Sequence, residues 1–197
     1  MEPIRCNWCL GSPEYIDYHD TEWGIPVYDD VSLFECIVLE SAQAGLSWIT
    51  ILRKREGYRA LFHHFDPEKV ANMTGADVER LLLDQRIVRH RAKIEATISN
   101  AKAFLNIADE FGSFSQYYWG FSDHKVMDNR FDSLAEVPAV TELSKRLAKD
   151  LKKRGFKFLG PTTCYAFMQA TGMVNDHIAD CVTRTSSSMP TPSRQET

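Results

Sequence analysis

No stretch of this 197-residue chain keeps up apolar–polar alternation for more than about four residues, and that restricts its fold more than any single motif does. A half-solvated sheet needs a two-residue period to sort its side chains, so a chain without one must bury its apolar residues on helices. Here the apolar residues recur at helical steps. "DDVSLFECIVLESAQAG" carries Leu33, Phe34, Ile37 and Val38 along one face, behind Asp and Ser in capping positions. "SWITILRKREGYRALFHHF" reads as a second helix, closed before Asp66-Pro67, which opens a third. Thr74 and Asp77 start another in "TGADVERLLLD". "RHRAKIEATISNAKAFLNIADEFG" repeats Ile94, Ile98, Ala101, Phe104 and Leu105 and stops at Gly112. "TELSKRLAKDLKKRG" is amphipathic up to Gly155, and "PTTCYAFMQATG" has Pro161 at its first position and Gly172 past its end. The expected fold class is all-α.

The length suits one domain over residues 1–184, with the polar, Pro/Ser-rich tail 185–197 expected to be disordered. No apolar h-region opens the sequence and no apolar run approaches membrane-spanning length, so we expect a cytoplasmic protein with no membrane partner. The absence of an evident self-association stripe makes a monomer the expectation. In a reducing compartment the five cysteines, an odd number, point to metal ligation or burial instead of disulfides. The net charge of −4 gives no global basic field for nucleic acid. Local clusters at 53–56, 89–93 and 149–157 are compatible with one.

Three constellations carry chemistry. His177 and Cys181 are four apart in "NDHIADC", so on a helix they would share a face. With two donors from the N-terminal segment, where Cys6 pairs with His19 and Cys9 is a rival through "CNWC", they could hold one zinc and staple the chain ends together. Around Gly155 and Gly160, "KKRGFKFLGPTTCYAF" joins two helices and presents a helix N-terminus beside Lys152, Lys153, Arg154 and Lys157, which suits a phosphate. Phe158 stands where a helix-hairpin-helix turn usually has its first glycine. Glu40, finally, falls on the apolar stripe of its helix and must be paired, protonated or facing a cleft. Trp8, Tyr15, Tyr18, Trp23 and Trp48 crowd the segments that would frame it, and a carboxylate ringed by indoles and phenols suits a flat cation.

At this point "YHDTEWGIP", "QAGLSWITILRKREGYRALFHHFDPEKVA", "RHRAKIEATISNAKA" and "KKRGFKFLGPTTCYAFMQATGMVNDH" make the sequence recognisable. From Arg5 to about Cys181 it resembles the bacterial 3-methyladenine DNA glycosylase I family. The resemblance implies the helix-hairpin-helix glycosylase fold, two helical lobes around a base-binding cleft, and excision of 3-methyladenine from double-stranded alkylated DNA. It assigns one structural zinc to Cys6, His19, His177 and Cys181, leaving Cys9 as an extra thiol. It makes Glu40 and Tyr18 hydrogen-bonding partners of the base, Trp48 its stacking partner, and Trp8, Tyr15 and Trp23 pocket walls. It also makes Leu46 the wedge that fills the gap left by the extruded nucleotide, and gives the phosphates to the hairpin, with Gly155, Lys157, Gly160, Thr162 and Thr163. On this reading Glu40 stays ionised, while Asp176, next to His177, receives no catalytic role. A non-catalytic binder of alkylated DNA and a zinc hydrolase with Glu40 as base are the competing readings.

Overall fold

The computed structural model describes residues 3–187. Its helices start where side chains satisfy the free backbone amides. Ser12 accepts from the Tyr15 amide and Pro13 takes the first position of α1 (Pro13–Thr21). Asp29 accepts from Ser32 ahead of α2 (Asp30–Gln43), which buries Leu33, Phe34, Ile37 and Val38. Next come α3 (Trp48–Leu52) and α4 (Arg55–Leu61).

These two replace the single helix expected over 47–65. No Gly or Pro stands at the break between them. It turns Arg55 onto Glu22 and Arg59 onto Glu35, and it lets Lys54 reach the Gln85 carbonyl. Tertiary partners override the local period here. A second break follows Phe62, where His63, His64 and Phe65 all take positive φ in a 3-10 turn.

Asp66 caps α5 (Pro67–Ala71), and Asp77 accepts from the Thr74 amide at the start of α6 (Gly75–Leu82). The long α7 (Arg91–Phe111) is capped by the His90 ring and ends at Gly112, with φ +87°. Ser113 caps α8 (Phe114–Gly120). A capping box of Thr141 and Ser144 opens α9 (Glu142–Lys153), and α10 (Pro161–Ala170) follows Gly160. Two two-residue strands depart from a purely helical chain: β1 (Met127–Asp128) lies parallel to β2 (Val174–Asn175). They tie the segment after α8 to the segment after α10.

The main core joins α2, α7, α8, α9 and α10, with Phe34, Phe104, Phe114, Leu147 and Phe167 all buried. A smaller cluster of Cys6, Tyr18, Trp23, Ala170 and Cys181 brings the two ends of the chain together. Val182–Ser187 form a 3-10 turn, and most of the expected tail, residues 188–197, lies outside the described residues. Among the described residues no helix is long and apolar enough to cross a membrane.

Candidate functional site

Glu40 follows Ile37 by three residues on α2, so the apolar stripe carries it inward, and only 5% of it remains exposed. It faces a cavity of about 390 Å³ lined also by Trp8, Tyr15, Tyr18, Trp23 and Trp48. All six side chains predicted for the pocket therefore meet in one place. The rings brace one another: Trp8 meets Tyr15 at 5.2 Å and Trp23 at 5.1 Å, both edge-on, and Tyr18 tilts against Trp48 at 5.3 Å.

None of the partners that could satisfy Glu40 reaches it. Among the described residues it has no hydrogen bond and no ion pair. The nearby guanidiniums of Arg55 and Arg59 are committed to Glu22 and Glu35 around a second cavity of about 250 Å³, which shares Tyr18, Glu40 and Trp48 as a partition. Burial alone pushes the Glu40 carboxyl up to about 8. In the free protein this favours the protonated form at neutral pH, whereas the ionised Glu40 expected from the sequence belongs to the state beside a cationic base. Burial, and then the neighbouring Glu40, raise the Tyr18 phenol well above its usual range, so Tyr18 stays a hydroxyl donor. The indole Nε1 of Trp48 is buried without a partner. Unpaired polar groups around an apolar cavity are what a hydrogen-bonding ligand fits.

The lining also includes residues that the sequence did not assign: Gln43, Leu134, Val137, Ala166, Gln169 and Asp176. Ala166 and Gln169 are one turn apart on α10, a signal that was legible. Leu134 opens a short 3-10 turn, Leu134–Glu136, that Val137 closes, and no periodic apolar run in the sequence marks either one. Asp176 is buried and accepts from Asn129 at 2.7 Å, Tyr165 at 2.5 Å and Gln169 at 2.9 Å.

Behind the aromatic wall lie Cys6, His19, His177 and Cys181, all buried, with their donor atoms within 4.8 Å of one another. His177 and Cys181 do not share a helix, as their spacing suggested. They lie in the loop after β2, and a turn from Ile178 to Cys181 brings the thiol back. Arg5 grips Asp20 through two nitrogens, and Asp20 meets His19 Nδ1 at 2.7 Å, which leaves Nε2 facing Cys181 at 3.5 Å. His177 Nε2 meets the Trp23 carbonyl at 3.1 Å, leaving Nδ1 beside Cys181 at 3.5 Å and Cys6 at 3.8 Å. Contacts from Cys6, then from His177 and His19, hold Cys181 far below the usual thiol range. Cys9 is buried nearby but outside this group. Trp23 packs edge-on against His177 at 4.6 Å, so the cluster and the cavity share a wall.

Two exposed turns flank the cavity-bearing elements. Gly45, with φ +81°, turns the chain after α2 and leaves Leu46 41% exposed. Between α9 and α10, Gly155 and Phe158 take positive φ of 98° and 58°, so a phenylalanine adopts a backbone that ordinarily favours glycine. Gly155, Lys157, Gly160 and Thr162 are exposed there, and Thr163 is half-buried. Arg154 turns away to Glu110 and Asp150, both at 2.7 Å, and packs over Phe111.

Residues 8–185 match a family described as methyladenine glycosylase. The chain is 53% identical over 182 residues to the DNA-3-methyladenine glycosylase of Haemophilus influenzae, spanning 92% of this chain and 98% of that one. It is 54% identical over 177 residues to DNA-3-methyladenine glycosylase 1 of Escherichia coli K12, spanning 90% and 95%. A solved 3-methyladenine DNA glycosylase I from Staphylococcus aureus, described for its recognition of 3-methyladenine, is 43% identical with a TM-score of 0.88, spanning 90% and 95%.

Proposed function

The chain belongs to the methyladenine glycosylase family, and on that premise we propose that it excises 3-methyladenine from alkylated duplex DNA with Glu40 and Tyr18 holding the base. The observation that carries the residue assignment is the unpaired, buried Glu40 in an aromatic cavity.

Methylation at N3 puts a positive charge on the purine and weakens its bond to the sugar. The C1′–N9 bond breaks with its electron pair going to the base, which leaves neutral. Water adds to C1′ and gives up a proton, leaving an abasic site. No strong acid is needed on the leaving group, so the site can work through shape and charge. A cationic purine entering the cavity supplies the countercharge that Glu40 lacks. Its arrival draws the carboxyl back from about 8 towards the ionised form, which then accepts from the exocyclic amine. Trp48 stacks on the ring, Tyr18 offers its hydroxyl, and Trp8, Tyr15 and Trp23 close the walls.

An enzyme that acts on a base within a duplex must extrude the nucleotide, at a cost of about a few kcal/mol. In this reading Leu46 fills the vacated stack, and the α9–α10 turn acts as a helix-hairpin-helix, with Gly155, Lys157, Gly160, Thr162 and Thr163 on the phosphates. The cavity is then the base-binding cleft between two helical lobes. Cys6, His19, His177 and Cys181 would hold one structural zinc. Tetrahedral coordination needs such donors about 3.3–3.8 Å apart, and here they stand within 4.8 Å, with both histidine tautomers already fixed. When bound, the ion supplies cross-linking of the chain termini. A cytoplasmic monomer completes the reading, in keeping with five free cysteines.

Chromatography of bases released from methylated duplex DNA tests the proposal. The wild type should release free 3-methyladenine and Glu40→Gln should release far less. Release of a different base would overturn the substrate, and equal release by the variant would overturn the role of Glu40.

A further inference from the structure

One basic cluster, Arg89 to Lys93, has no part in the site described so far, and it opens the longest helix of the fold. Lys93 does not project into solvent. Its ammonium donates to the carbonyls of Ala42 at 2.8 Å and Ala44 at 2.6 Å, at the end of α2 just before Gly45 and Leu46. A cation there complements the helix C-terminus and satisfies carbonyls left without intrahelical partners. Seven residues on, Asn100 is 1% exposed and holds both backbone groups of Lys157, in the turn between α9 and α10. Its Oδ1 accepts from the Lys157 amide at 2.8 Å, and its Nδ2 donates to the Lys157 carbonyl at 3.0 Å. Seven residues is close to two helical turns, so the two side chains lie on one face about 10 Å apart along the axis. His90, which caps the same helix, sets its ring edge-on to Phe158 of that turn at 6.5 Å.

We propose that α7 is a spacer that fixes the distance between the Leu46 turn and the α9–α10 turn, with Lys93 and Asn100 as positioning residues for DNA engagement. This rests on the reading that both turns touch the duplex. A wedge and a phosphate clamp work together only if they meet one stretch of DNA in register. Both turns are built on positive-φ residues, and their own backbone bonds, Leu46 to the Gln43 carbonyl and Phe156 to the Leu151 carbonyl, leave the carbonyls of Ala42 and Ala44 and the backbone of Lys157 to partners outside the turns. Side chains from a rigid 21-residue helix supply what the turns lack. Neither residue lines the aromatic cavity, so their effect belongs to duplex engagement and not to base recognition.

The test combines Lys93→Met, Leu46→Ala and the double variant, assayed for excision from methylated duplex DNA and for binding of free 3-methyladenine by tryptophan fluorescence. Lys93→Met should lower duplex excision about ten-fold while leaving free-base affinity unchanged, and should cost little further in the Leu46→Ala background. Asn100→Asp, which keeps the acceptor and loses the donor, should lower duplex excision in the same way with intact base binding. Lys93→Arg should restore most of the activity. If Leu46→Ala lowers excision and Lys93→Met does not, the spacer idea falls and the wedge stands. Equal losses from Lys93→Met in both backgrounds would mean that Lys93 acts elsewhere, for example on a phosphate, and would also overturn it. Loss of free-base binding in both Lys93→Met and Asn100→Asp would reduce these residues to a role in folding and overturn the proposal. An inert Leu46→Ala would remove the wedge reading itself.

Discussion

Glu40 shows how a single buried carboxyl can cost stability at the position proposed to hold the base. Its carboxyl rises from 4.5 in the unfolded chain to about 8 in the fold, so between those values the folded state binds the extra proton. Stability must therefore fall as pH rises from about 4.5 to about 8, and the full penalty applies above that. Glu40→Gln removes the penalty. We predict that the variant matches the wild type near pH 4 and exceeds it above pH 8 by a few kcal/mol, at roughly 1.4 kcal/mol per unit, in urea melts at both pH values. The same variant should lose about 100-fold or more in 3-methyladenine release at neutral pH. A variant that is destabilised at high pH would show that Glu40 has a partner after all. The sequence could reveal that this carboxylate lies on an apolar stripe. It could not reveal that Arg55 and Arg59 are taken by Glu22 and Glu35, which is what leaves Glu40 alone.

At the level of elements, helix ends were the most legible features. Gly112, Gly155 and Gly172 all take positive φ at or just beyond the last turns of their helices, as their positions in the sequence implied. Gly172 does more than end α10. A Cβ there would stand 2.5 Å from the backbone of Ile25 and of Pro26, and the residue has φ +67°. Gly172→Ala should thus cost about 3 kcal/mol or more, read as a lowered Tm, because neither the backbone neighbour nor the φ angle can yield cheaply. Helix α1 escaped periodicity although Ser12-Pro13 is a start signal, because its polar and aromatic residues serve the cavity and the Cys/His cluster instead of one apolar stripe. The break between α3 and α4 escaped for the opposite reason: the local pattern is continuous and the partners that bend it are distant in sequence. At the hairpin, Lys157→Ala should weaken binding to damaged and undamaged duplex alike, and lower the slope of log affinity against log salt by about one. A loss confined to damaged DNA would move Lys157 from the backbone to lesion recognition.

Across the whole molecule, the Cys/His cluster and the cavity form one unit, since Trp23 touches His177 and Trp8 touches His19 at 5.3 Å. Metal analysis of the purified protein should give one zinc per chain. Chelation should then unfold the cavity-bearing end and not merely silence the enzyme, because binding and folding energies are shared. Tm and zinc content should fall together in His19→Ala. A metal-free protein with an unchanged Tm would remove the structural role proposed for the ion.

The residue types and their local order determined the helical class, most caps and stops, and the inventory of pocket and donor side chains, because these depend on interactions within a few residues. Tertiary structure decided the rest. It brought Cys6 and Cys181 together across the length of the chain, set Asp176, Leu134 and Val137 into the cavity wall, and turned Arg154 back onto Glu110 and Asp150 while leaving Lys157 outside. It also left Glu40 unpaired, and that depends on where every competing cation went. Periodicity records which face a residue takes, whereas the protonation of a buried acid and the spacing of two distant turns exist only once the whole chain has packed.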